Sequence, residues 1–221
     1  MQNYIKEIAQ MRIGIIGPIG SGKSTLSKLL SDYYHVPLIE EPVEKNEFLP
    51  LFYQDKETFA LLSQNAFYSS LFLLMWKTKD EKSCVCDSTL FSNLVFTELL
   101  RLEGIMTAYE VALTYAIADE HLKRIPDVDI HIVIVRNEEQ LFDNVSKRGR
   151  EMEKDQYDYL KFHYKNYYEV LNRIFKNYKV PKEKILYLHV DDMFQGEEFE
   201  RILKEIEAKY QDLKSKGLTI G

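Results

Sequence analysis

Residues 11–25 read MRIGIIGPIGSGKST, and this stretch decides the fold. The β-branched Ile13, Ile15 and Ile16 suit a buried strand. Residues 17–24, GPIGSGKS, follow at once and complete a G-x-x-x-x-G-K-S phosphate loop. Residues 25–34 then read as a helix with Leu26, Leu29 and Leu30 on one face. Glycines 17, 20 and 22 free the loop backbone so that its N–H groups, from Gly17 through Ser21 to Thr25, can turn toward phosphate oxygens. The helix N-terminus adds its partial positive charge. Lys23 is placed to reach the β- and γ-phosphates, and the Ser24 hydroxyl to hold Mg²⁺. The stretch predicts a nucleoside triphosphate binder.

Outward from the loop, five short apolar runs look like strands: 11–16, 37–40, 83–87, 129–135 and 184–190. Helical patterns separate them, which predicts an α/β, doubly wound, three-layer fold with a five-stranded parallel sheet. At 221 residues the chain is expected to be one domain. Residues 56–79 read as one long helix, with 88–103 and 107–124 as two more broken at Gly104. That helical insertion supplies walls for a second ligand beside the loop. Residues 155–178 and 196–213 complete the helices, the former rich in tyrosines assigned to packing.

A net charge of −6 argues against a nucleic-acid partner. No apolar run approaches a membrane span, and residues 1–10 lack a secretory h-region. Cys84 and Cys86 are the only cysteines, expected as buried thiols that do not easily face each other, in a reducing, cytoplasmic compartment.

Phosphoryl transfer needs cradled phosphates, neutralised charge and a positioned acceptor. The run SCVCD ends in Asp87, a carboxylate at the end of a strand and the candidate second metal ligand. In IEEPVEKN, Pro42 holds the preceding Glu41 extended at a strand's carboxyl end, where open α/β sheets bind ligands. Glu41 is the expected general base, with Glu40 and Glu44 as solvated competitors. Residues 146–154, opening SKRGREME, suit a lid whose Arg148 and Arg150 close on the transferring phosphate. The plainer reading is a basic helix C-terminus answering the macrodipole.

Taken in order, GPIGSGKST, EEPVEKNEFLPLFYQD, Gln64, Asp87 and KRGREME resemble the deoxynucleoside kinases of the deoxycytidine, deoxyguanosine and deoxyadenosine kinase type, over about residues 11–207. The resemblance implies transfer of the ATP γ-phosphate to the 5′-hydroxyl of a deoxynucleoside, with Mg²⁺, by a homodimer. It assigns Glu41 as base, Tyr53 and Glu153 to the sugar 3′-hydroxyl, and Gln64 to paired hydrogen bonds with the nucleobase. Phe67, Leu71, Asn93 and Phe96 would line the base pocket. The segment LHVDDMF resembles the loop that reads the adenine of ATP, which selects Asp191, Asp192, Met193 and Phe194.

Three positions depart from the family pattern. Ser88 stands where an arginine usually follows the acid at the strand end, so another cation, first of all Arg150 or Arg148, is expected beside Glu41. Asn144 replaces an earlier lid arginine, which predicts weaker nucleotide contacts. Asn93 occupies a pocket position that is often acidic. A nucleoside monophosphate kinase and a non-catalytic NTP-binding switch remain the alternatives.

Overall fold

A computed structural model describes residues 10–191 and 194–219. Five strands, β1 (Arg12–Ile16), β2 (Leu38–Ile39), β3 (Cys84–Asp87), β4 (Ile130–Val135) and β5 (Ile185–His189), form one parallel sheet in the order β2-β3-β1-β4-β5. The central strand β1 pairs Ile13 with Val85 on one side and with Ile130 on the other. All five of its residues are buried, as befits a strand covered on both faces.

Helices α1 (Lys23–Tyr34) and α8 (Gly196–Ser215) cover one face, where Leu26, Leu30, Ile202 and Ile206 pack on Ile13 and Ile132. On the other face lie α3 (Lys56–Lys77), α4 (Leu90–Leu102) and α7 (Tyr157–Asn177), whose Tyr68, Leu94, Tyr167 and Leu171 meet Ile16 and Val133. A third cluster, around Phe52, Leu100, Leu141 and Tyr159, lies under the helical insertion. It is built partly by α2 (Leu49–Gln54), α5 (Ala108–Leu122) and α6 (Glu138–Arg148). The three-layer architecture is the one expected, and most of the tyrosines of α7 pack, with Tyr159, Tyr164 and Tyr167 buried. Among the described residues no helix is long and apolar enough to cross a membrane.

Local sequence sets the boundaries that matter. α5 starts at a capping box in which Thr107 and Glu110 satisfy each other's backbone N–H groups. α6 starts at a second one, Asn137 with Gln140, and stops at Gly149, whose φ of 66° is the left-handed conformation a helix end requires. That stop turns the chain into a 3-10 turn, Glu151–Glu153, and separates Arg148 from Arg150.

The cysteine expectation is half corrected. Both thiols are free and buried, but their sulfurs lie 3.9 Å apart. Residues i and i+2 of a strand share a face, so Cys84 and Cys86 do face each other.

Candidate active site

The loop after β1 is shaped by its glycines. Gly20 and Gly22 have φ of 82° and 93°, a region open to glycine. A Cβ on Gly20 would stand 2.5 Å from the Leu141 carbonyl oxygen, and one on Gly22 2.6 Å from the Phe194 ring. α1 opens at Lys23 with no side-chain cap and no acid in its first turn, so its leading N–H groups point to an anion site. Gly20, Gly22, Lys23, Ser24 and Thr25 line a cavity of about 950 Å³ there. Gly17 and Ser21 fall outside that lining: the Ser21 side chain is fully buried behind the loop, and the Gly17 carbonyl accepts from Lys23 Nζ at 3.0 Å.

Sequence reasoning missed Arg136, just beyond β4. Its Nε donates to the Ser21 carbonyl at 3.0 Å and its Nη1 to the Val190 carbonyl at 3.3 Å, while the guanidinium lies 5.1 Å above the Phe194 ring. The cation at the end of HIVIVR was a legible signal, since ligands gather at strand carboxyl ends. Asn144 does more than was expected of it, because its Nδ2 donates to the Gly20 carbonyl at 2.8 Å and holds the loop. Of the four residues expected to read adenine, Phe194 lines the cavity. Asp191 does not: it is exposed, and its carbonyl accepts from Gln140 Nε2 at 2.6 Å. Asp192 and Met193 lie outside the described residues.

A second cavity, of about 670 Å³ with its open mouth included, lies beside the first. Lys23, Glu41, Val43, Arg148 and Arg150 line both, so the two cavities share a wall. Glu41 stands in that wall, while Glu40 and Glu44 are exposed. Burial raises the Glu41 pKa above its ordinary value; Lys23 opposes the rise, Asp87 adds to it, and the Ser88 hydroxyl and Arg150 lower it again. The cation nearest in effect to Glu41 is therefore Lys23, ahead of the lid arginine expected there. Ser88 is fully buried at a φ of 83°, which leaves little room for a long side chain.

Asp87 ends β3 at 4% exposure, and its Oδ1 has no protein partner. Burial raises its pKa most, with Lys23 and the Ser24 hydroxyl acting against that rise. An orphaned carboxylate oxygen beside a serine at the start of α1 fits a hard divalent cation that takes its remaining ligands from phosphates and water.

Glu153 ties the segment 146–154 to the second cavity. It is 6% exposed, and Arg148 Nη2 donates to both of its carboxylate oxygens at 2.6 Å. Arg150 Nη1 lies 3.6 Å from the same group. Burial first, then the Glu153 charge, pushes the nearby Tyr53 phenol upward, so it stays a neutral hydroxyl.

Tyr53, Gln64, Phe67, Asn93, Phe96 and Glu153, far apart in sequence, all line this second cavity. Phe52 and Tyr159, unforeseen, complete its apolar wall. Leu71 is a correction. It is 1% exposed in the core with Tyr68 and Met75 and does not line the cavity, because seven residues of helix carry it past the pocket floor.

A phosphate cradle joined to a second cavity of mixed polar and apolar character defines a phosphotransferase of the phosphate-loop class. A family model described as deoxynucleoside kinase matches residues 13–210, so the chain belongs to the deoxynucleoside kinase family and is an enzyme that phosphorylates deoxynucleosides with ATP. It is 29% identical over 210 residues to a deoxyguanosine kinase of Lactobacillus johnsonii, covering 91% of this chain and 93% of that one. A deoxyadenosine kinase of Lactobacillus acidophilus is 24% identical over 214 residues, covering 91% and 97%. Among solved structures, deoxyadenosine kinase from M. mycoides with dCMP and a flexible dCDP bound superposes with a TM-score of 0.72 at 22% identity, covering 93% of this chain and all of that one.

Proposed function

We infer that the enzyme moves the γ-phosphate of ATP to the 5′-hydroxyl of a purine deoxynucleoside, with the transfer line crossing the wall at Glu41. The observation that carries this reading is that one carboxylate lines both cavities, flanked by the loop lysine and a lid arginine. ATP is read into the cradle cavity, its phosphates on the backbone of Gly20–Ser24 and on Lys23. Ser24 and Asp87 would hold Mg²⁺, which when bound neutralises phosphate charge.

On the acceptor side, Tyr53 and Glu153 offer a hydroxyl and a carboxylate to the sugar. Gln64 and Asn93 offer amides to the base between Phe67 and Phe96. Glu41, its affinity for a proton raised by burial, takes the proton of the 5′-hydroxyl. Arg150, free of a closer bond than 3.6 Å to Glu153, is the lid residue best able to turn toward transferred charge. The purine assignment draws on relatives that are deoxyguanosine and deoxyadenosine kinases.

A monophosphate acceptor is disfavoured. Glu41 and Glu153 both face the cavity, and Arg148 is already engaged with Glu153. A panel of nucleosides and monophosphates, each incubated with ATP and Mg²⁺, tests the reading. Turnover of monophosphates but not nucleosides would reverse it.

The homodimer is supported by an apolar stripe. Leu62, Leu73 and Trp76 recur along one side of α3 and are exposed, as are Tyr109 and Leu113 on α5. The two helices pack together, with Phe72 stacked on His121 at 4.2 Å. A second copy of the chain would cover this face, and sedimentation of Trp76→Glu against the wild type tests it. Two free thiols, unbridged at 3.9 Å, suit the reducing cytoplasm.

A further inference from the structure

Behind Gln64 lies a hydrogen-bond chain that the transfer chemistry does not use. Tyr68, fully buried, faces Thr97 with its hydroxyl 3.3 Å from Thr97 Oγ1. Thr97, also fully buried, stands 3.3 Å from Gln64 Oε1 and 3.0 Å from the Asn93 carbonyl. These four groups span α3 and α4 directly behind the base cavity.

A hydroxyl carries one proton and two lone pairs, whereas an amide has one donor end and one acceptor end. Either hydroxyl can donate across the Tyr68–Thr97 contact; because Thr97 has acceptors on its other side, its proton is free for them when the Tyr68 phenol donates, which occupies one lone pair of Thr97 Oγ1. Two complete arrangements then remain. In the first, Thr97 gives its proton to Gln64 Oε1, and the Gln64 NH₂ faces the cavity. In the second the amide is turned over: its NH₂ donates to the remaining lone pair of Thr97, Thr97 gives its proton to the Asn93 carbonyl, and the Gln64 carbonyl faces the cavity. In neither arrangement are Tyr68, Thr97 or the inward end of the Gln64 amide left unpaired, so the exchange of one for the other does not carry the penalty of about 1–3 kcal/mol for an orphaned group.

The outward-facing edge decides which base fits. An outward NH₂ meets an acceptor such as the 6-oxo group of guanine or hypoxanthine. An outward carbonyl meets the 6-amino group of adenine. Asn93 has the same two-signed character: its Nδ2 is buried without a partner in the same lining, where a carboxylate would only accept. We propose that Thr97 is a positioning residue that lets the Gln64 amide stand in either sense, so that one pocket accepts both 6-oxo and 6-amino purine deoxynucleosides. The proposal rests on the reading that Gln64 contacts the base.

The experiment compares kcat/KM for deoxyguanosine, deoxyinosine and deoxyadenosine, with ATP as donor. A site with hydrogen bonds of fixed sense rejects the wrong partner by about 10⁴–10⁵. The wild type is expected to hold 6-oxo and 6-amino substrates within about tenfold of each other. In Thr97→Val the Tyr68 proton loses its acceptor, and the Gln64 carbonyl, one helical turn away, is the group placed to take it. The amide is then pinned with NH₂ outward, and the ratio of 6-oxo to 6-amino kcat/KM should rise about tenfold or more. Thr97→Ser keeps the hydroxyl and should keep the wild-type ratio, which a loss of packing alone would not explain. Wild-type discrimination beyond about a thousandfold, or a ratio unmoved in Thr97→Val while Gln64→Ala is impaired, would overturn the proposal alone. Unchanged kcat/KM in Gln64→Ala on every base would overturn the underlying reading of Gln64 as well.

Discussion

Glu41→Gln isolates the proposed base, because the amide keeps the shape of the carboxylate and removes only its charge and basicity. General base catalysis is worth about 10²–10⁴ in rate, or about 2.7–5.4 kcal/mol at about 1.36 kcal/mol per decade. Glu41 is set for that role, since burial raises its pKa and Asp87 adds to the rise, while Lys23, Ser88 and Arg150 act against it. The variant should therefore lose about 10²–10⁴ in kcat with KM for the nucleoside nearly unchanged, the signature of an interaction used in the transition state. In the wild type, kcat/KM should fall as pH drops through the raised Glu41 pKa, an acid limb above the ordinary 4.5. The stability effect has the opposite sense. The native state holds the Glu41 proton more tightly than the unfolded chain does, so this group's contribution falls as pH rises from 4.5 through the native pKa. Above the native pKa the ionised carboxylate costs stability, and there Glu41→Gln should melt no lower than the wild type. Steady-state kinetics with a thermal melt on the same preparation reads both. A folded variant within about threefold of wild-type kcat, or larger losses in Glu40→Gln or Glu44→Gln, would remove Glu41 from the mechanism.

Lys23→Ala should abolish transfer while the melting temperature holds, since the loop keeps its glycines and the lysine bonds only loop carbonyls at 3.0 and 3.3 Å; comparable turnover in the folded variant would refute the ATP cradle. Ser88→Arg puts a long cation at a fully buried, left-handed position, so kcat/KM and stability should both fall, the melt by about 2–4 °C for each kcal/mol. A clear gain in kcat/KM would mean that the space beside Glu41 was waiting for a guanidinium.

What could be read from the sequence was local. The phosphate loop is legible because strand, glycines, lysine and helix are contiguous, and Glu41 because Pro42 fixes the backbone beside it. Gly149 likewise marks the point where α6 stops within the segment 146–154. The failures lie where tertiary distance decides. The resemblance placed Leu71 in the base pocket with Gln64, but a position along a helix does not say how deep the cavity runs. Thr97 has no motif, and its place behind Gln64, 33 residues away in sequence, exists only once α4 packs on α3. The replacement for the family arginine was sought in another cation. The structure does set cations beside Glu41, Lys23 ahead of Arg150, and the part of the loop lysine is visible only when the loop and the β3 end meet.

The most direct test of the central account is the structure of the product. With ATP, Mg²⁺ and deoxyguanosine or deoxyadenosine, phosphorus NMR should show one new monophosphate coupled to the 5′ protons, and the matching 5′-deoxy nucleoside should give none. ATP hydrolysis without a nucleotide product, or diphosphate formed from a supplied monophosphate, would contradict transfer across Glu41 to a 5′-hydroxyl.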